Sequence, residues 1–147
     1  MNLKNLNIGV IGMGYVGLPL AIEFSKRLKV IGFDINEKRI NQLKNKIDVT
    51  KEVSKKDFLK LKNISFSKNI NDLNKCKIFI ITVPTPIDSK NKPDLKPLIK
   101  ATKFVSTIVK KNDIVIYEST VFPGATEEIC GPILEKNSNL KINKSLF

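Results

Sequence analysis

Three features of the sequence predict an α/β fold, a doubly wound parallel sheet forming a single domain. Short apolar runs of β type recur five times and alternate with helical stretches, the pattern that folds into a parallel sheet with crossover helices. The first run, Leu6 to Ile11, passes into Gly12-Met13-Gly14-Tyr15-Val16-Gly17, a G-x-G-x-x-G turn lying between a strand and a helix. The second run ends on Asp34, which lies 17 residues past Gly17 and 22 past Gly12. Together these predict the strand order 3-2-1-4-5 of a dinucleotide-binding, Rossmann-type sheet.

Each glycine of the turn has a separate physical role. Gly12 permits the tight turn, Gly14 lets the backbone approach a pyrophosphate, and Gly17 lets the helix sit against the strand with no Cβ between them. The N–H groups at the helix start, with the positive end of its dipole, complete an anion site. Helical spacing of Val16, Leu20, Phe24 and Leu28 predicts a helix from Tyr15 to Leu28.

The second strand is Lys29 to Phe33. Asp34 stands at its carboxyl end, close to the ~20-residue distance at which a carboxylate receives the adenosine ribose hydroxyls. Its other reading is a cap for the helix starting near Asn36, since Asp is a common cap. An acid here disfavours a 2′-phosphate, which favours NAD over NADP. Arg39 is the counterargument, because an arginine in this region accommodates that phosphate. It also suits the adenine face, or a solvated helix position.

The helix from Glu37 to about Lys46 carries Ile40, Leu43 and Ile47 on one side. A polar connection, Asp48 to Val53, leads to Ser54-x-x-Asp57, which resembles a capping box opening a short helix. Ile64 to Ser67 is the third strand, Asn69 to Leu73 a short turn or helix, and Lys77 to Ile81 the central strand, the most apolar β-type run of the chain. Thr82 to Asp88 leaves that strand with two prolines, which forbid its continuing as a central strand. Such a rigid segment is either a ligand-binding loop at the sheet's carboxyl edge or an ordinary connector.

After a polar excursion, Ser89 to Asp94, Asp94 is expected to cap a long helix with Pro97 in its first turn and Leu98, Thr102, Val105, Ile108 and Val109 buried. Asp113 to Tyr117 is the fifth strand, and Glu118 to Gly124 leaves its carboxyl end. The helix from Ala125 to Lys136 contains Pro132, which predicts a kink or a late start. The tail from Asn137 to Phe147 heads towards another strand.

Composition narrows the function. A chain of 147 residues buries about 70% of its unfolded surface, enough for a real core. No apolar run approaches the ~20 residues of a membrane span, and Lys4 precedes a glycine-punctuated strand rather than a signal sequence, so the expectation is a cytoplasmic protein. The absence of histidine and the wide separation of Cys76 and Cys130 exclude zinc sites, histidine triads and a disulfide framework, leaving no metal expected. The net charge of +12 is spread along the chain without interleaved aromatic residues, which argues for solvated faces and against nucleic acid.

GVIGMGYVGLPLA, the FDIN around Asp34, ITVPTPID and YESTVFPGATEE together resemble the amino-terminal domain of the UDP-glucose/GDP-mannose dehydrogenase family over almost the whole chain. The wording is nearest to bacterial UDP-N-acetylglucosamine or UDP-N-acetylgalactosamine 6-dehydrogenases that supply uronic acids for surface polysaccharides. The resemblance implies a two-step oxidation of a UDP-sugar's C6 alcohol to a carboxylate, with two NAD and a covalent intermediate on a cysteine. It implies that Gly12, Met13, Gly14, Tyr15, Val16 and Gly17 cradle the pyrophosphate, and that Asp34 and Arg39 hold the adenosine end. Val83, Pro84 and Thr85 line the cofactor. Thr120 matches the family's threonine beside the nicotinamide and the catalytic water, a supporting catalytic role.

The nucleophilic cysteine, its Lys and Asp companions and the sugar-binding residues of the family lie in later segments without counterpart here. Neither Cys76 nor Cys130 has the family's glycine-rich surroundings. The expectation is therefore an NAD-binding domain over residues 1–147, inactive alone and part of a homo-oligomer at full length. Two alternatives stay open: another two-domain β-hydroxyacid dehydrogenase, and a stand-alone nucleotide-binding module without chemistry. A short-chain epimerase needs Tyr-x-x-x-Lys, and neither Tyr15 nor Tyr117 has a lysine four residues on.

Overall fold

The computed structural model describes residues 6–87 and 92–147. Lys4, Asp88 and Ser89 of the sequence reading lie outside the described residues. Five parallel strands, β1 (Asn7–Ile11), β2 (Lys29–Phe33), β3 (Ile64–Ser67), β4 (Ile78–Ile81) and β5 (Ile114–Tyr117), pair in the order β3-β2-β1-β4-β5, as expected. The helices are α1 (Gly17–Ser25), α2 (Glu37–Lys44), α3 (Lys55–Lys60), α4 (Lys96–Ser106) and α5 (Gly131–Ser138).

Alternation along the strands divides the core in two, because successive side chains of a strand point to opposite faces. Ile8, Val10, Val30 and Ile80 join Leu18, Ala21, Ile22, Ile40, Leu43 and Phe58 on one face. Ile11, Phe33, Phe79 and Ile81 join Leu98, Ala101, Val105 and Leu134 on the other. A sheet covered on both faces explains why β4 reads as an unbroken apolar run, Ile78-Phe79-Ile80-Ile81.

The structure corrects the expected face of α1. Val16 is exposed, and the buried residues are Gly17, Leu18, Ala21, Ile22 and Ser25. Leu20, Phe24 and Leu28 pack only at the flank of the core. The reason is close approach at the helix start: a Cβ on Gly17 would stand 1.8 Å from Gly12 O, so the helix turns inward the face that carries Gly17, with Leu18, Ala21, Ile22 and Ser25 buried beside it. Ile47, expected on the α2 stripe, is exposed because α2 ends at Lys44 and the backbone turns left-handed at Lys46.

The start of α3 is capped as expected, with Ser54 Oγ accepting from Asp57 N–H at 3.2 Å. Leu95 holds the cap position of α4, while Asp94 accepts the Lys96 N–H at 2.9 Å. Pro132 falls in the first turn of α5, and the turn before it, Thr126–Cys130, is a π-helix in which Gly131 N–H reaches back to Thr126. Pro132 has no N–H to give the ladder, and it sits where the α-helix starts afresh after the π-turn, which matches the expected late start. At the tail, Val115 N–H donates to Phe147 O (2.6 Å) and Phe147 N–H to Asp113 O (3.0 Å), so these last residues pair in parallel with the outer edge of β5.

Candidate functional site

The strand order reverses between β1 and β4, and ligands of open α/β sheets bind at the carboxyl ends of the strands flanking such a reversal. A cleft of about 420 Å³ opens there, walled by the glycine loop, Asp34 and Ile35 after β2, Thr82 to Pro84 after β4, and one side of α4. A larger groove of about 560 Å³ lies between α1 and the segment from Glu52 to Asn63, away from the carboxyl ends of the strands.

The loop is held by its neighbours. Gly12 has φ +101°, a left-handed conformation that L side chains rarely adopt. The Thr82 hydroxyl lies within reach of Ile11 O (3.0 Å) and Gly12 O (2.8 Å), its one proton shared between them. A Cβ on Gly17 would stand 1.8 Å from Gly12 O and 2.4 Å from Thr82 Oγ1, so only glycine lets α1 start here. At Gly14 a Cβ would meet nothing within 4 Å. That open space, facing a helix start with neither a side-chain cap nor an acid in its first turn, suits a bound anion.

Asp34 is half-buried, and its carboxylate organises the turn around it. Oδ2 accepts Met13 N–H at 2.8 Å and Oδ1 accepts Asn36 N–H at 2.8 Å. The cap of α2 is Asn36, whose side chain accepts Arg39 N–H, so Asp34 is not the helix cap of the alternative reading. Each carboxylate oxygen keeps acceptor capacity towards the cleft.

Arg39 occupies a different place from the solvated one considered above. It is 7% exposed, with Nε donating to Met13 O at 2.7 Å, NH1 2.9 Å from Asp48 Oδ1 and NH2 3.4 Å from Thr50 Oγ1. The NH1 contact is a close ion pair without the alignment of a hydrogen bond. Met13 turns its own side chain into the core and gives its N–H to Asp34, so its backbone links Asp34, through the N–H, to Arg39, through the carbonyl.

Asp48 receives Thr50 N–H and Oγ1 on one oxygen and the N–H groups of Glu52 and Val53 on the other. Burial pushes its carboxyl up, but the hydrogen bonds from Thr50 and Val53 and the ion pair with Arg39 outweigh that, and its pKa lies below the ordinary value. With the folded value lowered, the unfolded chain binds more protons in the window between the two values, so stability is lost as pH falls through it. We expect the thermal midpoint of the wild type to drop below about pH 4. Asp48→Asn, less stable at neutral pH, is expected to lose less over that window; equal losses would remove Asp48 from the acid response.

The two loops on the nicotinamide-side expectation are fastened together. Ser119 Oγ donates to Val83 O and Thr85 Oγ1 to Thr120 O, both at 2.6 Å. Val83 is half-buried, while Pro84 and the residue Thr120 are exposed at the strand ends. Tyr15 and Val16 are exposed beside the glycine loop.

The sequence reading missed the α4 wall. Pro97, Lys100, Ala101 and Phe104 face the cleft, with Lys100 Nζ 5.8 Å from the centre of the Phe104 ring, and Phe33 and Ile35 complete the adjoining surface. A signal existed in the spacing of three and four from Pro97 to Phe104, beside the buried stripe. The cysteines serve the core: Cys76 is 2% exposed, and burial, then the charge of Asp113, pushes its thiol to about 12, while burial also raises Cys130. Neutral buried thiols are poor nucleophiles.

Among the described residues no helix is long and apolar enough to cross a membrane. A sequence profile of the UDP-glucose/GDP-mannose dehydrogenase family, NAD binding domain, matches residues 6–146. A UDP-N-acetyl-D-glucosamine 6-dehydrogenase of Pseudomonas aeruginosa is 54% identical over 145 residues, covering 99% of this chain and 34% of that protein. Protein CapL of Staphylococcus aureus is 55% identical over 97% of this chain and 34% of its own length. Among solved structures, a UDP-D-ManNAc dehydrogenase of Pyrococcus horikoshii superposes with a TM-score of 0.85 at 32% identity, over 96% of this chain and 34% of that one. The chain thus spans about a third of the length of these relatives. With its glycine loop, switch-point cleft and acid after β2, the chain belongs to the UDP-glucose/GDP-mannose dehydrogenase family and carries its NAD-binding domain.

Proposed function

We propose that this chain is the cofactor-binding portion of a cytoplasmic, NAD-dependent UDP-N-acetylhexosamine 6-dehydrogenase, one folded domain of a larger, homo-oligomeric protein. The observation that carries the reading is the pairing of an open glycine loop with Asp34 at the edge of one cleft. The relatives supply the substrate class, since the Pseudomonas aeruginosa relative is by name a UDP-N-acetyl-D-glucosamine 6-dehydrogenase. The product is a uronic acid suited to surface polysaccharide.

In this reading the backbone of Gly12 to Gly17, with exposed Tyr15 and Val16 at its rim, receives the pyrophosphate on the uncapped start of α1. Asp34 accepts the adenosine ribose hydroxyls, and Ile35 and the α4 wall flank the base. Val83, Pro84 and Thr85 line the nicotinamide half. Thr120 stands at the neighbouring strand end, with its carbonyl tied to Thr85, and supports the reacting centre. Arg39 contributes to the adenosine end from beneath the glycine loop, through Met13 O. When bound, NAD would supply the hydride acceptor; the residues of this chain would hold and orient it against the apolar surface of Phe33, Ile35, Ala101 and Phe104. The cysteine nucleophile belongs to the rest of the enzyme.

Asp34→Ala should weaken NAD binding about ten- to a hundredfold, the scale of hydrogen bonds to a charged group. Calorimetry reads this directly, and an unchanged affinity would reduce Asp34 to an organiser of the Met13 turn. For the whole enzyme, the test is NADH formation with UDP-N-acetylglucosamine and UDP-N-acetylgalactosamine. The expected stoichiometry is two NADH per uronic acid, followed at 340 nm as absorbance characteristic of the reduced cofactor. No turnover of any UDP-sugar, with NAD binding intact, would favour a binding module; turnover of a small β-hydroxyacid would favour the other two-domain dehydrogenases.

A further inference from the structure

An arginine in the segment after the ribose acid is where Rossmann-type sites accommodate the 2′-phosphate of NADP. Arg39 has that position in sequence, yet its guanidinium is turned beneath the glycine loop, onto Met13 O, Asp48 and Thr50. Its side chain is 8% exposed and that of Asp48 1%. We propose that Asp48 is a positioning residue for cofactor choice: it withholds the Arg39 charge from the ribose pocket and so keeps the site selective for NAD.

Asp48 is built for this and is not simply drawn in by the arginine. Its carboxylate is fixed by the backbone N–H groups of Thr50 (3.0 Å), Glu52 (2.9 Å) and Val53 (3.0 Å), which leave it aimed at Arg39 whatever the arginine does. The Thr50 hydroxyl donates to the same carboxylate at 2.6 Å and accepts from Arg39 NH2, closing the third side of the guanidinium.

The distance over which this matters is short. One residue separates the guanidinium from the ribose acid, because Met13 gives its N–H to Asp34 and its C=O accepts from Arg39. Asp34, Arg39 and Asp48 together carry one net negative charge, and a 2′-phosphate of about two negative charges is repelled by that set. Remove the Asp48 charge and the set becomes neutral, with an unmatched cation one residue away. The other nearby cations, exposed Lys38 on α2 and Lys100 on the α4 wall, are unaffected by the change.

The test is calorimetric titration of this chain with NAD and with NADP, comparing wild type with Asp48→Asn, which keeps the size and an acceptor oxygen. The inference rests on the reading of the chain as an NAD site, so the wild type comes first: binding of neither dinucleotide sinks both. Given binding, Asp48→Asn should raise the affinity for NADP relative to NAD about three- to tenfold at low ionic strength, as expected for one unit charge at this range in a partly screened site. A purely structural role would move both affinities together, and an unchanged ratio overturns the proposal while leaving the NAD reading intact.

Should Asp48→Asn fail to fold, the double variant Arg39→Met/Asp48→Asn leaves no unpaired ion inside. Its NADP-to-NAD ratio should match that of the wild type within about twofold, because a withheld charge and an absent one act alike over this distance. A larger shift towards NAD would mean that the Arg39 charge already reaches the pocket in the wild type, and would overturn the assignment.

Discussion

Gly17→Ala is expected to destroy the cofactor site and to destabilise the whole fold. The added Cβ would lie 1.8 Å from Gly12 O and 2.4 Å from Thr82 Oγ1, and the first of these is backbone that cannot swing aside. Relief requires α1 to retreat from β1, which opens the Thr82 bridge to Ile11 O and Gly12 O. Overpacking at so rigid a contact costs about 3 kcal/mol or more. For a chain of this size the thermal midpoint should fall by roughly 6–12 °C, with NAD binding abolished. Gly14→Ala is the matched control: its Cβ meets no protein atom within 4 Å, so the midpoint should stay near wild type while NAD affinity falls. If both alanines left binding intact, the loop would not be the pyrophosphate cradle.

Arg39→Met is the second large effect, and its origin is electrostatic. The substitution fills most of the side-chain volume but leaves Asp48, a carboxylate 1% exposed, without its cation. Removing one partner of a buried ion pair costs about 3–5 kcal/mol. The lower end applies here, since three backbone N–H groups still serve the carboxylate. The glycine loop also loses the Arg39 Nε bond to Met13 O, so NAD affinity should fall along with stability. Chemical unfolding of Arg39→Met beside the double variant separates the two terms, because the double variant removes the stranded charge and should recover part of the stability. No recovery would mean that the loss comes from packing and from the Met13 bond, with little from the ion pair.

What was legible in the sequence was what is local or periodic. The strand order followed from alternating β and helical segments, and the glycine loop from spacing that only a tight turn, a close backbone approach and a helix contact together require. Asp34 was found by its distance from the loop and its position at a strand end. The sequence misled where three-dimensional approach overrides spacing. Counting large apolar residues gave α1 the stripe Val16, Leu20, Phe24 and Leu28, whereas the helix buries Gly17, Leu18, Ala21, Ile22 and Ser25, a face set by the close approach at Gly17. Arg39 read as a solvated or ligand-facing cation, because nothing in a linear pattern announces that an aspartate nine residues on will be turned back by Thr50, Glu52 and Val53 to receive it. The cleft wall on α4 escaped for a related reason: Lys100 and Phe104 flank the buried stripe and look like ordinary surface until β2 and β4 bring Asp34 and Val83 opposite them.

The dinucleotide that the cleft at the β1–β4 switch point selects is the most direct readout of Asp34 and the glycine loop. Calorimetric titration of the chain with NAD and NADP at matched ionic strength measures that choice. Asp34 at the ribose and Arg39 locked on Asp48 predict that NAD binds and that NADP binds at least tenfold more weakly, one unfavourable charge contact being worth about 1.4 kcal/mol or more. Equal or tighter binding of NADP would contradict the assignment of Asp34 and of the site built around it.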